Sequence, residues 1–359
     1  MEYLPELNLL LEALTYLGAR ANGHTLEARE ERLRRRGLED VSAFSRRVAP
    51  VARLQHLLDE AVSVPEELLD KLFRDVEGFP FNTNGSYSLA FLLFYPALGQ
   101  FDGDLDGLVA RLQSLTPDQT ARNLLLSLSM DDLTDHGQGC ADRFLDSVLT
   151  LTIPADSRLA LVGALRTYPQ LLEEAARCLR PVLSVLQQQR HQLEELAREL
   201  GGEMAQDGPA AYLQSSSGLS PDGAYLLRPY ILGFDTNLSL DAGAGRELIY
   251  CGIHRRFLQQ LLADLQGSEA RVFAAIKLLG DRTRFDILCF LRDHPAYGQE
   301  LSDHFGLARN TIHHHMSKLL NAGLVTCTVE GNRVYYDIDR PRLDGLLQLQ
   351  RSLLLGDRP

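Results

Sequence analysis

One stretch limits the folds open to this chain more than any other, the run from Tyr297 to Leu320. Leu301 and Phe305 stand four apart and share one face of a first helix. Gly306 can close that helix in a left-handed conformation. Ile312, His315, Met316 and Leu319 then line one face of a second helix. Two short helices joined by a Gly-containing turn of about three residues form a helix-turn-helix. The other face of the second helix carries Arg309, Asn310, Thr311, His313, His314, Ser317 and Lys318. These are hydrogen-bonding groups for phosphates and base edges, gathered at the start of a helix that would enter a major groove.

The next residues extend the unit. Asn321-Ala322-Gly323 closes the second helix, and Leu324 to Val329 is a β-rich run. Glu330-Gly331-Asn332 makes a turn, and Arg333 to Ile338 is a second strand. A helix-turn-helix followed by a hairpin is a winged helix, with Asn332 and Arg333 at the wing tip.

Leu278-Leu279-Gly280-Asp281-Arg282-Thr283-Arg284-Phe285-Asp286-Ile287-Leu288 resembles the opening of ArsR-type winged-helix regulators, usually Leu-Gly-Asp-Pro-Thr-Arg-Leu-x-Ile-Leu. Glu300 to Leu307, Thr311 to Met316, Leu320 to Val325 and Gly331 to Tyr336 resemble the rest in order. The resemblance covers about residues 270–340. Arg282 stands where the family usually has proline and is expected to lengthen the helix start. The resemblance implies a transcription regulator, more a repressor than an activator, that dimerises through Ala270–Leu279 and Leu343–Leu355. Such a homodimer reads double-stranded DNA as an inverted-repeat operator. DNA contacts carry over to Arg309, Asn310, Thr311, His313 and His314, with Lys318 and Arg333 on phosphates. Arg309 is expected to contribute most specificity, since a guanidinium meets a guanine edge with two bonds.

Charge bears on this reading. The chain has a formal net charge of −12, but residues 270–359 hold 12 Lys and Arg against 10 Asp and Glu, a net +2. Residues 1–269 carry the remaining −14. The acidity lies outside the winged helix, and a net +2 predicts modest non-specific DNA affinity. The five cysteines are scattered, which argues against a disulfide framework and fits a reducing, cytoplasmic setting. No apolar run of about 18 residues and no signal-peptide segment is present, so no membrane association is expected.

The fold class expected is mainly α: an N-terminal helical domain with a small β segment, then the winged helix-turn-helix. Residues 1–200 read as helices, with Leu7, Leu10, Leu11, Leu14 and Leu17 at helical spacing. Arg32, Arg34, Arg35 and Arg36 suit a solvated helix end, near its C-terminal dipole. Thr116-Pro117-Asp118-Gln119 is a capped helix start. Pro181 should kink or split the helical run from Tyr168 to Leu200. Gly201 to Gly223 reads as a boundary. Tyr225–Phe234 and Glu247–Ile253 read as two strands about a polar loop, Asp235–Gly245, and Ile253–Leu265 as a connecting helix. The division expected is thus 1–200 as a sensor or partner domain, 201–267 as linker, hairpin and helix, and 268–359 as the DNA-binding and dimerisation domain.

Other chemistry is weak. Phe79, Phe81, Tyr87, Phe91 and Phe94 suit a core more than a ligand pocket. Asp131 to Cys140 lacks a metal-ligand spacing. The cysteine pair and the acid–histidine pair with which relatives sense metals are missing, so neither metal nor cofactor is expected. Three consecutive histidines point about 100° apart on a helix and cannot share one ion. His315 is expected half buried, His313 and His314 outward, and Cys289 in the core beside Ile287 and Phe290. No catalytic motif appears, so no enzyme is expected. The effector, small molecule or protein, stays open. So does a rival reading, an adaptor whose acidic helical domain binds a partner and whose winged helix is an assembly surface.

Overall fold

The structure, a computed structural model, describes the chain except residues 36–37, 39, 77–87, 129–138, 152, 218–224, 244–245, 266–267, 331–332 and 356–359. Phe79, Phe81 and Tyr87, expected in a core more than in a ligand pocket, most of the Asp131–Cys140 loop, and Asn332 fall outside the described residues.

The chain is mainly α. A short strand β1 (Glu2–Tyr3) precedes α1 (Leu9–Ala21), α2 (Leu26–Arg35), α3 (Ser42–Ala61), α4 (Glu66–Phe73), α5 (Leu89–Leu98) and α6 (Leu105–Gln113). Then come α7 (Pro117–Ser127), α8 (Cys140–Thr150), α9 (Ala155–Arg166), α10 (Tyr168–Gln188), α11 (Arg190–Asp207) and α12 (Pro209–Ser217). Several starts follow from local chemistry. Asn8, Ser88 and Asp104 accept from backbone amides three residues on, and Thr116 and Gln119 close a reciprocal capping box. On α2, Arg34 and Arg35 pair with Glu30 and Glu31 one turn earlier, as a solvated helix end would.

Helix α10 is the spine of this region and packs against α1, α4, α5 and α6. Pro181 does not split it; the break falls at Gln189, where α11 begins. An interior proline costs a helix about 3 kcal/mol. Burial on α10 outweighs that. Leu172, Leu179, Val182 and Leu186 are all fully buried, and each such side chain contributes up to about 1.5–3 kcal/mol.

Three more strands, β2 (Tyr225–Tyr230), β3 (Asn237–Gly243) and β4 (Arg246–Gly252), join β1 in a sheet of order β1-β2-β4-β3. The β2–β4 pair is parallel, so the hairpin expected between those strands is instead β3–β4. The expected loop Asp235–Gly245 contains β3, an edge strand with Leu240 buried and Ser239 exposed. Gly252 is required by close approach: a Cβ there would stand 2.5 Å from the carbonyl oxygens of Phe234 and Thr236. Helix α1 meets the sheet through one polar stripe. Asn8 donates to the Tyr250 hydroxyl, Glu12 accepts from the amides of Ile231 and Leu232, and the Thr15 hydroxyl bonds that of Tyr230.

The expected boundary at Gly201–Gly223 is helical as far as Ser217. Helix α11 runs through it to Asp207, Gly208 turns with φ 84°, and α12 buries Tyr212 and Leu213 completely. One continuous core therefore runs from Leu10 to Leu258 and takes in the sheet. Helix α13 (Arg255–Leu265) follows.

A second, separate core forms in the C-terminal part. It is enclosed by α14 (Ser268–Leu279), α15 (Arg282–Leu291), β5 (Ala296–Tyr297), α16 (Gly298–Phe305), α17 (Arg309–Asn321), β6 (Val325–Glu330), β7 (Arg333–Ile338) and α18 (Arg340–Leu355). This is a winged helix-turn-helix whose sheet has three strands, order β5-β7-β6. No described helix is long and apolar enough to cross a membrane.

Candidate nucleic-acid interface

Asp281 organises the entry to the winged helix. It caps α15 by accepting from the Arg284 amide at 3.0 Å, so α15 starts at Arg282 and is not lengthened by it. Arg284 is buried; its guanidinium donates to the Leu278 carbonyl and pairs with Asp281 at 3.4 Å. The Arg284 amide is the main cause that holds the Asp281 carboxyl below its usual range. His315 of α17 lies 3.7 Å from the same carboxylate, half buried as expected.

The turn between α16 and α17 is closed from both sides. Gly306 takes φ 63°, a left-handed conformation that costs other residues energy. The Ser302 hydroxyl donates to the Leu307 carbonyl at 2.5 Å, and the Leu307 amide donates to the Ser302 carbonyl. Helix α17 then buries Ile312, Met316 and Leu319 against Leu301, Ile287 and Leu291. Its outward face exposes Arg309, Thr311, His314 and Lys318. The Asn310 side chain is outside the described residues.

Two expected contacts differ in placement. Ser317 is 9% exposed and its hydroxyl bonds Nδ1 of His313 at 3.3 Å, so it faces its neighbour rather than solvent. His313 is half buried rather than outward. Burial lowers the pKa of His313 and of His315, so both imidazoles are neutral near pH 7. They offer neutral donors and acceptors, while Arg309, Lys318 and Arg333 are exposed cations.

Arg333 opens β7 and is exposed, with its guanidinium 4.7 Å from the centroid of the Tyr297 ring. Arg309 donates from Nε to the Gln299 side-chain carbonyl. Sequence pattern gave no sign of Tyr297 or Gln299. Neither lies on α17 or on the β6–β7 hairpin, and both meet their arginines only through the fold.

Cys289 is exposed, not a core thiol. Its turn of α15 buries Ile287, Leu288 and Leu291, and a step of 100° per residue carries position 289 to the outer side. Burial pushes the half-buried Cys327 thiol up to about 12, which keeps it protonated. Among the described residues no three His, Cys, Asp or Glu side chains converge to hold a metal ion. Helices α14 and α18 pack together yet expose Phe273, Ile276, Leu347, Leu354 and Leu355.

A family model described as bacterial regulatory protein, arsR family, matches residues 281–326. The arsenical resistance operon repressor of Staphylococcus aureus is 33% identical over 73 residues, 20% of this chain and 70% of the repressor. The HTH-type transcriptional regulator CmtR of Mycobacterium tuberculosis is 42% identical over 60 residues, 17% of this chain and 51% of CmtR. The transcriptional activator HlyU of Vibrio cholerae is 25% identical over 92 residues, 26% of this chain and 85% of HlyU. The chain thus spans about half the length of CmtR and more of the other two. No solved structure matches.

Proposed function

The chain belongs to the arsR family of bacterial regulatory proteins, DNA-binding transcription regulators, and from that premise we propose a homodimeric repressor that reads an inverted-repeat operator. The observation that carries this reading is the two-sidedness of α17. Ile312, Met316 and Leu319 are sealed in the core while Arg309, Thr311, His314 and Lys318 stand outward. A helix held rigidly on one side and polar on the other is what major-groove readout requires. In this reading Arg309 supplies base specificity, with Asn310, Thr311, His313 and His314 beside it. Lys318, Asn332 and Arg333 meet backbone phosphates, and Ser317 orients His313.

The exposed apolar side chains of α14 and α18 support dimerisation through those helices, since a surface of this kind needs a cover. Residues 1–267, helices and sheet on one core, form the effector or partner domain in this proposal, and 268–359 the DNA-binding and dimerisation domain. An effector acts by preferring the DNA-competent or the DNA-incompetent state.

The test is a salt titration of binding to the duplex upstream of the chain's own gene, against a scrambled duplex. Preference for the native duplex, weakening as salt rises, supports the regulator. Absence of binding at any salt, with or without cell extract as a source of effector, sinks it. The net −14 of residues 1–269 favours a second reading, an adaptor with an acidic partner surface. Arg309→Ala combined with Arg333→Ala separates the two: the regulator loses DNA, while an adaptor keeps its partner.

A further inference from the structure

Both arginines expected at the DNA are held by one short corner of the chain. Tyr297 ends β5 and Gln299 is the second residue of α16, with only Gly298 between them. We infer that Tyr297 and Gln299 are positioning residues that set Arg333 of the wing and Arg309 of the recognition helix for DNA contact; this rests on the DNA-binding reading above.

The corner itself is fixed. Ala296 on one side and Leu301 on the other are completely buried, and β5 is hydrogen-bonded to β7 with Tyr297 opposite Tyr335. The Tyr297 ring packs on that of Tyr335 with centroids 5.5 Å apart. Arg333 lies two residues before Tyr335 on the same strand, so both project to one face. That face brings the guanidinium over the Tyr297 ring. A stacked guanidinium still directs its N–H groups outward in its own plane, where a phosphate can accept them.

Gln299 works differently. Its amide nitrogen donates to Oδ1 of Asp303, one turn later on α16, at 2.6 Å. With the nitrogen so engaged, the amide carbonyl is the atom turned to Arg309, and it accepts from Nε. Asp303, Gln299 and Arg309 therefore form an oriented chain from α16 to the start of α17. Holding a guanidinium through Nε is compatible with the forked Nη pair meeting O6 and N7 of a guanine. A long side chain ordered before binding loses less freedom on binding, so the hold raises affinity and sharpens discrimination. Because one corner carries both mounts, it also fixes the wing contact relative to the helix contact.

The experiment uses the full chain, the native upstream duplex, a scrambled duplex and a panel of single-base variants of the native one. Gln299→Met removes the acceptor at similar volume. The expected result is about a tenfold loss on the native duplex and little on the scrambled one, with discrimination relaxed at the base position that Arg309→Ala also relaxes. Gln299→Met combined with Arg309→Ala should bind no worse than Arg309→Ala alone. Gln299→Glu keeps an acceptor for Nε but loses the donor to Asp303, so it should bind between the parent and Gln299→Met. Tyr297→Leu should weaken both duplexes alike and flatten the salt dependence, as loss of a phosphate contact does, while Tyr297→Phe keeps the ring and binds as the parent. Thermal melts of each variant report folding. If Arg309→Ala loses tenfold while Gln299→Met binds as the parent, the positioning role is overturned and the DNA reading stands. If Arg309→Ala and Arg333→Ala both bind as the parent, the DNA reading itself is overturned.

Discussion

Glu12, in the first turn of α1 and 1% exposed, accepts hydrogen bonds from the consecutive backbone amides of Ile231 and Leu232, each at 2.7 Å. The contact ties the first helix to the turn after β2. Burial raises the carboxyl from 4.5 to about 7, although the two amides pull the other way. A carboxyl raised in the folded state favours the folded chain most when protonated. The stabilisation is present below about pH 4.5 and is lost as pH rises through about 7. Glu12→Gln does not titrate, so the parent should lose stability relative to that variant between those values. Denaturant melts at several pH values measure this, and a constant difference would sink it. Glu12→Ala leaves two buried amides without an acceptor and should cost about 1–3 kcal/mol or more at every pH.

Phe273 on α14 is 69% exposed and Leu354 on α18 is 66% exposed. If these helices cover one another in a symmetric dimer, Phe273→Asp should convert the chain to a monomer in sedimentation at micromolar concentration. Affinity for a two-half-site duplex should then fall by more than tenfold, with binding to a single half-site kept. A parent chain that sediments as a monomer at tens of micromolar contradicts the proposal.

Met316 and Lys318 are two residues apart on α17 and should fail in opposite ways. Met316 is fully buried, so Met316→Ala should destabilise the winged helix by about 2–5 kcal/mol. Lys318 is exposed, so Lys318→Ala should leave the melting temperature alone. That variant should weaken DNA binding evenly across sequences and lower the salt slope by about 1. Paired melts and titrations check both, and a stability loss in Lys318→Ala would place that side chain in the fold instead.

Asp281 serves α15, Arg284 and His315 together. Asp281→Ala should destabilise the winged helix by about 1–2 kcal/mol, through the lost cap and the Arg284 guanidinium left short of a partner. Asp281→Asn keeps the cap acceptor and should recover about half of that. Equal melts for the two variants would show that the cap contributes nothing.

The parts legible in the sequence are those set by near neighbours. Gly306, the Ile312–Met316–Leu319 stripe and the Thr116–Gln119 capping box each state their geometry within a few residues, and each folds as written. What the sequence hid depends on partners far along the chain. The two residues of β1 carry no period and become a strand only beside Leu226 and Leu227. Helix α12, only nine residues long and running into three serines, is stabilised by burial of Tyr212 and Leu213. At the candidate interface Arg309 and Arg333 were legible, while their partners Gln299 and Tyr297 were not. Cys289 and Ser317 differ from expectation because neighbours in sequence stand about 100° apart on a helix, so Cys289 turns outward beside buried Leu288 and Ser317 inward beside exposed Lys318.

Strand β1 also sets a clock. Glu2 pairs with Leu226, and the Tyr3 hydroxyl reaches the Ala197 carbonyl. At about 5–20 residues per second, a ribosome would take roughly ten to forty seconds between making the two strands. Until then the N-terminal residues have no sheet to join, and α1 has no turn for Glu12 to grip. The larger core is completed only when residues 225–252 emerge, close to the time the winged helix is made, so a nascent chain stalled earlier would present apolar helices to chaperones.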